Sequence, residues 1–145
     1  MEPPEVILVA SLRASDAWLP TLSLVAVVDD SIVGHVVCSR ATIAGAIPVL
    51  GLGPLGVRPD RQRALVGSAL MHAVVAAADA LGERVICLLG DCHYYERFGF
   101  TSARTHGIEA PKEWYGDHFQ ARFLTSATGE ERGPFEYAAA FDAVP

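Results

Sequence analysis

The chain has no basic surplus. Its 11 lysines and arginines stand against 17 aspartates and glutamates, a formal charge of -6. Without excess positive charge to neutralise a phosphate backbone, a general nucleic-acid binder is excluded. Cysteine is scarce as well. Cys38, Cys87 and Cys92 are odd in number, form no disulfide framework and lack the paired spacing of a zinc site. A reducing cytoplasm suits them. The first residues, Met-Glu-Pro-Pro-Glu, are acidic and the apolar run from Val6 to Ala10 is short, so no export signal is expected. From Ala41 to Val57 the only polar residue is Thr42, yet two prolines and four glycines rule out a spanning helix, and no membrane association is expected. Repeats, linkers and low-complexity tracts are missing too. What is present is apolar: 51% of 145 residues, enough for one compact domain with a real core and too little chain for a second.

Periodicity divides the chain. Val6, Val9 and Leu12 give Glu5 to Arg13 a helical stripe that stops at Ser15 and Asp16. Leu22 to Val28 and Ile32 to Cys38 read as two strands of a hairpin around Asp29-Asp30-Ser31. His35 falls in the second, where an ordinary strand residue is the plainer reading than a catalytic one. Ile43 to Val57 reads as a third long strand, with Pro54 and the glycines around it marking a bulge or a splayed end. A helix follows from Gln62 to Leu81, with Val66, Leu70, Ala73, Val74, Ala77 and Leu81 as its stripe and His72 facing solvent. Gly82 closes it, and Val85 to Leu89 is a buried strand parallel to the one before, completing a right-handed βαβ unit. Phe119 to Leu124 and Phe135 to Tyr137 are late strands. Between them and the preceding unit, Pro111 to His118 is either a pocket-lining loop or a surface loop pinned by Trp114.

The strand-to-helix junction is where chemistry concentrates. Pro59 forces Arg58 toward an extended conformation and Asp60 holds the turn. A helix starting there leaves its first amides unpaired and carries a partial positive charge, and Arg58, Arg61 and Arg63 add full ones. The result is an anion site suited to phosphate. No Gly-Lys-Ser/Thr follows, so a Walker-type nucleotide site is the poorer match.

Strand, Val57-Arg58-Pro59, Gln62 and Gly67 together resemble the acetyl-CoA segment of the GNAT N-acetyltransferases, Gln/Arg-x-x-Gly-x-Gly/Ala. Leu65 stands at the middle glycine, putting a side chain where backbone comes close to pyrophosphate. The second match is sharper: Tyr95-Glu96-Arg97-Phe98-Gly99-Phe100 follows the family's Tyr-Glu-x-x-Gly-Phe position by position. Gly90-Asp91 before Tyr94-Tyr95, and Leu52-Gly53-Pro54-Leu55 before the turn, resemble a bacterial subgroup of N-acetyltransferases from about Leu22 to the end.

The resemblance implies an α/β (α+β) fold, a mixed twisted sheet flanked by helices with splayed parallel strands at the cofactor site. It implies acetyl-CoA as cosubstrate, no metal, and direct transfer to a primary amine of a small-molecule acceptor. Leu55, Gly56 and Val57 would pair with the pantetheine arm as an added strand does and hold the thioester oxygen. Gln62, Arg63, Ala64, Leu65, Val66, Gly67 and Ser68 would hold the diphosphate. Tyr95 would protonate the CoA sulfur, since tyrosine keeps its proton at neutral pH; the plainer reading is a ring packed beside Phe98.

Many members carry a Glu on the third strand as base; here that strand has no carboxylate, leaving Glu113, Asp117, His118 or a water chain. A covalent route through Cys92 at a helix start would need a base, and His93 as its sequence neighbour does not face it. Members usually begin with a further strand and helix ahead of Glu5, which the resemblance implies this chain lacks, at the expense of one acceptor-pocket wall. A CoA-binding or regulatory domain that has lost transfer is therefore the alternative. A homodimer would have exposed sheet edges to form on, with no interface specified.

Overall fold

The computed structural model describes residues 4–62 and 65–143. Two tight turns set up the sheet. Asp29 and Asp30, with φ of 50° and 63°, close the first between β1 (Ser23–Val28) and β2 (Ser31–Ile43), a left-handed pair that matches the twist of a hairpin. Ala44 and Gly45, with φ of 56° and 68°, close the second between β2 and β3 (Ile47–Val57). The third strand therefore starts four residues later than expected: Ile43 ends β2 and pairs with Ile47 across the turn. Gly45 bends the chain inside what reads as one apolar run. β2 is correspondingly longer than Ile32 to Cys38.

The remaining strands are β4 (Val85–Leu89), β5 (Thr101–Ser102), β6 (Ile108–Glu109), β7 (Phe119–Phe123) and β8 (Gly133–Glu136). They line up as β5-β7-β4-β3-β2-β8-β6, with β1 also on β2. β2 is long enough to pair with β1 along Ser31 to Val37 and with β8 at Thr42 and Ile43. Tyr137 lies one residue beyond the last strand.

α1 (Pro4–Arg13) rests Leu8 and Leu12 on Val37. α2 (Val66–Ala80) lays Leu70, Met71, Val74, Val75 and Ala78 on Leu50, Leu52, Ile86 and Leu88. Alternate residues Val49, Val85 and Cys87 face the other way, into a second cluster with Phe119 and Phe135. The helix begins later than Gln62 and its buried row differs from the expected stripe. Ala73 is exposed and Leu81 is 56% exposed, while Met71 and Val75 are buried. Larger side chains than alanine take the sheet side because their burial is worth about 1.5–3 kcal/mol each.

One pairing is incomplete. β3 and β4, the parallel pair, meet only at Leu50 with Ile86 and Gly51 with Cys87. Beyond these residues both strands continue without each other. Pro54 has no N–H to give, and the β2–β3 register shifts between Val36 and Cys38, opposite it. The bulge turns the end of β3 away.

Candidate functional site

Two cavities lie near the end of β3 where the strands part, one lined with residues of α2 and the other with the C-terminal segment. On the α2 side the cavity is about 380 Å³, lined by Leu55, Val57, Gln62, Leu65, Gly67, Ser68, Tyr94 and Arg97. Six of the residues expected to hold a cofactor are thus brought together. Gly56 belongs to the same strand but faces the other way, where a Cβ would lie 2.8 Å from Nε2 of His35. Val66 packs against the core cluster under α2. Arg63 and Ala64 lie outside the described residues.

The turn is tied at both ends. Arg58 N donates to Val33 O at 2.8 Å, and Gln62 Nε2 donates to Val57 O at 3.2 Å. Leu65 then takes φ 65° and ψ 11°, the left-handed conformation that a glycine adopts without cost. Its side chain is 74% exposed. No side chain caps α2, and among the described residues Ala69 N donates to Leu65 O while the amides of Val66, Gly67 and Ser68 stand in the first turn, at the helix's positive end.

The arginines are arranged differently from expectation. Arg58 is bidentate on Asp60 at 2.9 and 2.5 Å, which holds that carboxyl below its usual range, and Arg61 lies 3.9 Å from Asp29. Neighbouring turn carboxylates take both charges. Arg97 reaches the cavity from the 3₁₀ turn after α3 (Cys92–Tyr95), its guanidinium 5.1 Å from the Tyr94 ring centre. Its sequence signal was present inside the Tyr-Glu-x-x-Gly-Phe match, at an unassigned position.

Two glycines make room for two tyrosines. A Cβ on Gly67 would sit 2.6 Å from the Tyr94 hydroxyl, and one on Gly90 would sit 2.5 Å from the Tyr95 ring. Tyr94 therefore reaches the α2 terminus, and Tyr95 lies against the end of β4, edge-on to Phe100. Burial, then Tyr94 and Asp91, push the Tyr95 hydroxyl up from its ordinary pKa. From the opposite face, Tyr137 covers Gly51, the last residue of β3 paired with β4, where a Cβ would lie 2.8 Å from the ring. Burial raises the Tyr137 hydroxyl from its ordinary pKa as well.

The second cavity, about 570 Å³, has Leu52, Gly53 and Leu89 of the parting strands as its floor. Tyr115, Tyr137 and Phe141 form walls, with Lys112, Trp114, Glu136 and Asp142 around the rim. Trp114 is 76% exposed and pins nothing; Tyr115, tilted 6.2 Å from Phe119, anchors the loop instead. Tyr137, Phe141 and the two carboxylates carried no motif and were missed.

The side chains weighed as bases fare unequally. Glu113 lines a different hollow with Arg104 and Ile108. Asp117 accepts from Ser102 Oγ at 2.8 Å and Arg104 Nε at 2.9 Å, which hold its carboxyl low. His118 places Nδ1 3.2 Å from Gly90 O, beside Leu89 and Trp114. Cys92 does have a histidine near, His118 at 4.0 Å rather than the exposed His93, but its thiol donates to Asp117 O and lines neither cavity.

Residues 20–102 match the family model described as an acetyltransferase (GNAT) domain. The uncharacterized N-acetyltransferase YjhQ of Escherichia coli is 33% identical over 130 residues, covering 87% of this chain and 72% of that protein. The crystal structure of the GNAT family N-acetyltransferase YhbS from Escherichia coli, in complex with CoA, superposes with a TM-score of 0.85 at 26% identity, over 96% of this chain and 78% of that one. A GNAT family acetyltransferase from Brucella melitensis, in complex with acetyl-CoA, gives 0.76 at 37% identity, over 95% and 78%. A family match across more than half of the sequence, joined to parted parallel strands of the same fold, settles the assignment: the chain belongs to the GNAT family of N-acetyltransferases.

Proposed function

We propose that this enzyme moves the acetyl group of acetyl-CoA directly onto a primary amine, with cofactor and acceptor meeting through the gap between β3 and β4 in one domain. The supporting observation is that β3 and β4 part beyond Gly51, with one cavity lined by the end of β3 and the start of α2 and another by the ends of both strands. The Escherichia coli and Brucella melitensis structures hold CoA and acetyl-CoA, which favours the same ligand here. The edge of Leu55 to Val57, beyond the residues of β3 that pair with β4, takes the pantetheine arm by strand-like pairing, and the first-turn amides of α2 at Val66, Gly67 and Ser68 take the diphosphate. The neutral amine attacks the carbonyl carbon, a C–N bond forms and the C–S bond breaks. Tyr95 gives its proton to the departing sulfur, and the ammonium releases one to water. A reducing cytoplasm fits the three free thiols, and the open edge of β1 is available to a homodimer.

Free thiol release from acetyl-CoA in the presence of a panel of primary amines tests the reading. Tight acetyl-CoA binding with no thiol release across a wide panel would replace the enzyme by a binding domain.

Arg97→Ala is expected to weaken acetyl-CoA binding by about tenfold through loss of a charge-assisted contact to phosphate. Titration with acetyl-CoA checks this, and an unchanged dissociation constant would remove Arg97 from the cofactor site.

Leu65→Gly is expected to stabilise the fold by up to about 1 kcal/mol, because a leucine in the left-handed region costs more than the entropy glycine adds to the unfolded chain. Its exposed side chain forfeits little on removal. The same change clears the phosphate turn and is expected to tighten acetyl-CoA binding. Thermal denaturation and titration read the two effects separately; an unchanged melting temperature would show that the turn bears no strain.

A further inference from the structure

We propose that the acceptor carries two amines on an extended aliphatic chain, one reacting at the floor of the second cavity while the other stays protonated at its rim. The inference rests on the transferase reading above. Beside the gap the lining carries no charged group: Gly53 and the Leu89 side chain stand there. An amine brought there is favoured in its neutral form, the form that attacks a thioester. A carboxylate at that depth would hold it protonated and unreactive. The carboxylates are elsewhere: Glu136 and Asp142 are exposed residues of the C-terminal segment, on the rim.

Aromatic faces share that rim. Trp114 stands edge to face with Tyr115, centroids 4.7 Å apart, and Tyr137 stacks on Phe141 at 4.3 Å. Exposed tryptophan with carboxylates nearby is the combination that holds an ammonium by cation–π and ionic attraction. Lys112 opposes it with one positive charge, leaving the rim net negative by one. In the step itself the reacting nitrogen bonds the acetyl carbon, sulfur leaves with the proton of Tyr95, water takes the nitrogen's proton, and the distal ammonium keeps its own.

The test compares kcat/KM, by thiol release at saturating acetyl-CoA, for 1,6-diaminohexane, 1-aminohexane and 2-phenylethylamine. The diamine is expected to exceed the equally long monoamine by about tenfold, the size of a cation–π contact reinforced by charge. That ratio is expected to fall toward one in the Glu136→Gln/Asp142→Asn double variant and to rise in Lys112→Gln. Equal rates for diamine and monoamine, an unchanged ratio in the double variant, or a preference for 2-phenylethylamine would overturn the inference and leave transfer standing. Acetyl-CoA binding, measured calorimetrically on every variant, separates the other failure: binding with no thiol release from any amine removes the transferase reading as well.

Discussion

Tyr95→Phe is expected to lower kcat by about 10²-fold or more, the usual contribution of a placed general acid, and to leave acetyl-CoA affinity nearly unchanged. The expectation follows from where the two neighbouring tyrosines lie. Tyr94 extends to Gly67 at the α2 terminus, the phosphate end of the cavity, whereas Tyr95 lies against Gly90 at the end of β4, where the strands have just parted. On the proposed reading, a thioester entering between the strands is expected to meet the second of them first. Burial raises the Tyr95 pKa, so its hydroxyl keeps its proton above the ordinary tyrosine range and the alkaline limb of kcat should not fall before that range. Tyr94→Phe is the companion variant, expected to act on the KM for acetyl-CoA more than on kcat. Equal turnover in Tyr95→Phe would take the acid role away from Tyr95; a collapse confined to Tyr94→Phe would move the role one residue back.

Legibility in the sequence followed how local each feature is. The junction from β3 into α2 and the Tyr95 to Phe100 segment could be read because each packs its signal into a few consecutive residues, a proline, a glycine and an aromatic at fixed offsets. The parting of β3 from β4 was also readable, since Pro54 cannot complete a ladder. The turn at Ala44 and Gly45 was not, because nothing polar interrupts Ala41 to Val57 and only backbone φ distinguishes a turn from a strand there. The arginines misled for a different reason. Asp60 and Asp29 read as turn formers, yet the same carboxylates pair with Arg58 and Arg61, while Arg97, which lines the cavity among the described residues, comes from a separate segment. The second cavity was the least legible. Its walls join residues 52–53, 89, 111–115 and 136–142, and only the fold brings these together.

Glu131→Ala is expected to cost about 3–5 kcal/mol, the loss typical of removing one partner from a buried charge pair, and so a large part of a domain's total stability. The Glu131 side chain is fully buried, although nothing in the sequence marks it out from Glu130. It accepts from the amides of Thr128 at 3.0 Å and Gly129 at 2.9 Å, from Thr128 Oγ1 at 2.9 Å, and from Arg84 Nε at 2.6 Å. Arg84 Nη2 also donates to Thr128 Oγ1, and Arg84 O accepts from Leu124 N, so this one carboxylate clamps the loop after β7 to the start of β4. Burial alone would raise its pKa, but the donors from Thr128 and Gly129 outweigh it and hold the carboxyl at about 2, against an ordinary 4.5. A group held low in the folded state stabilises it above the unfolded pKa, here above about 4.5, and the stabilisation disappears as pH falls through about 2. The difference of about 2.5 pH units corresponds to roughly 3 kcal/mol at neutral pH. Urea unfolding of wild type and Glu131→Gln at pH 7 and at successively lower pH measures it: the gap between the two midpoints should be widest near neutrality and close toward pH 2. Because the clamped loop leads into β8 and on to Tyr137, the same variant should loosen the Tyr137 wall of the second cavity before the fold is lost. Equal midpoints at pH 7 would mean that the desolvation of Glu131 and Arg84 cancels everything their hydrogen bonds contribute.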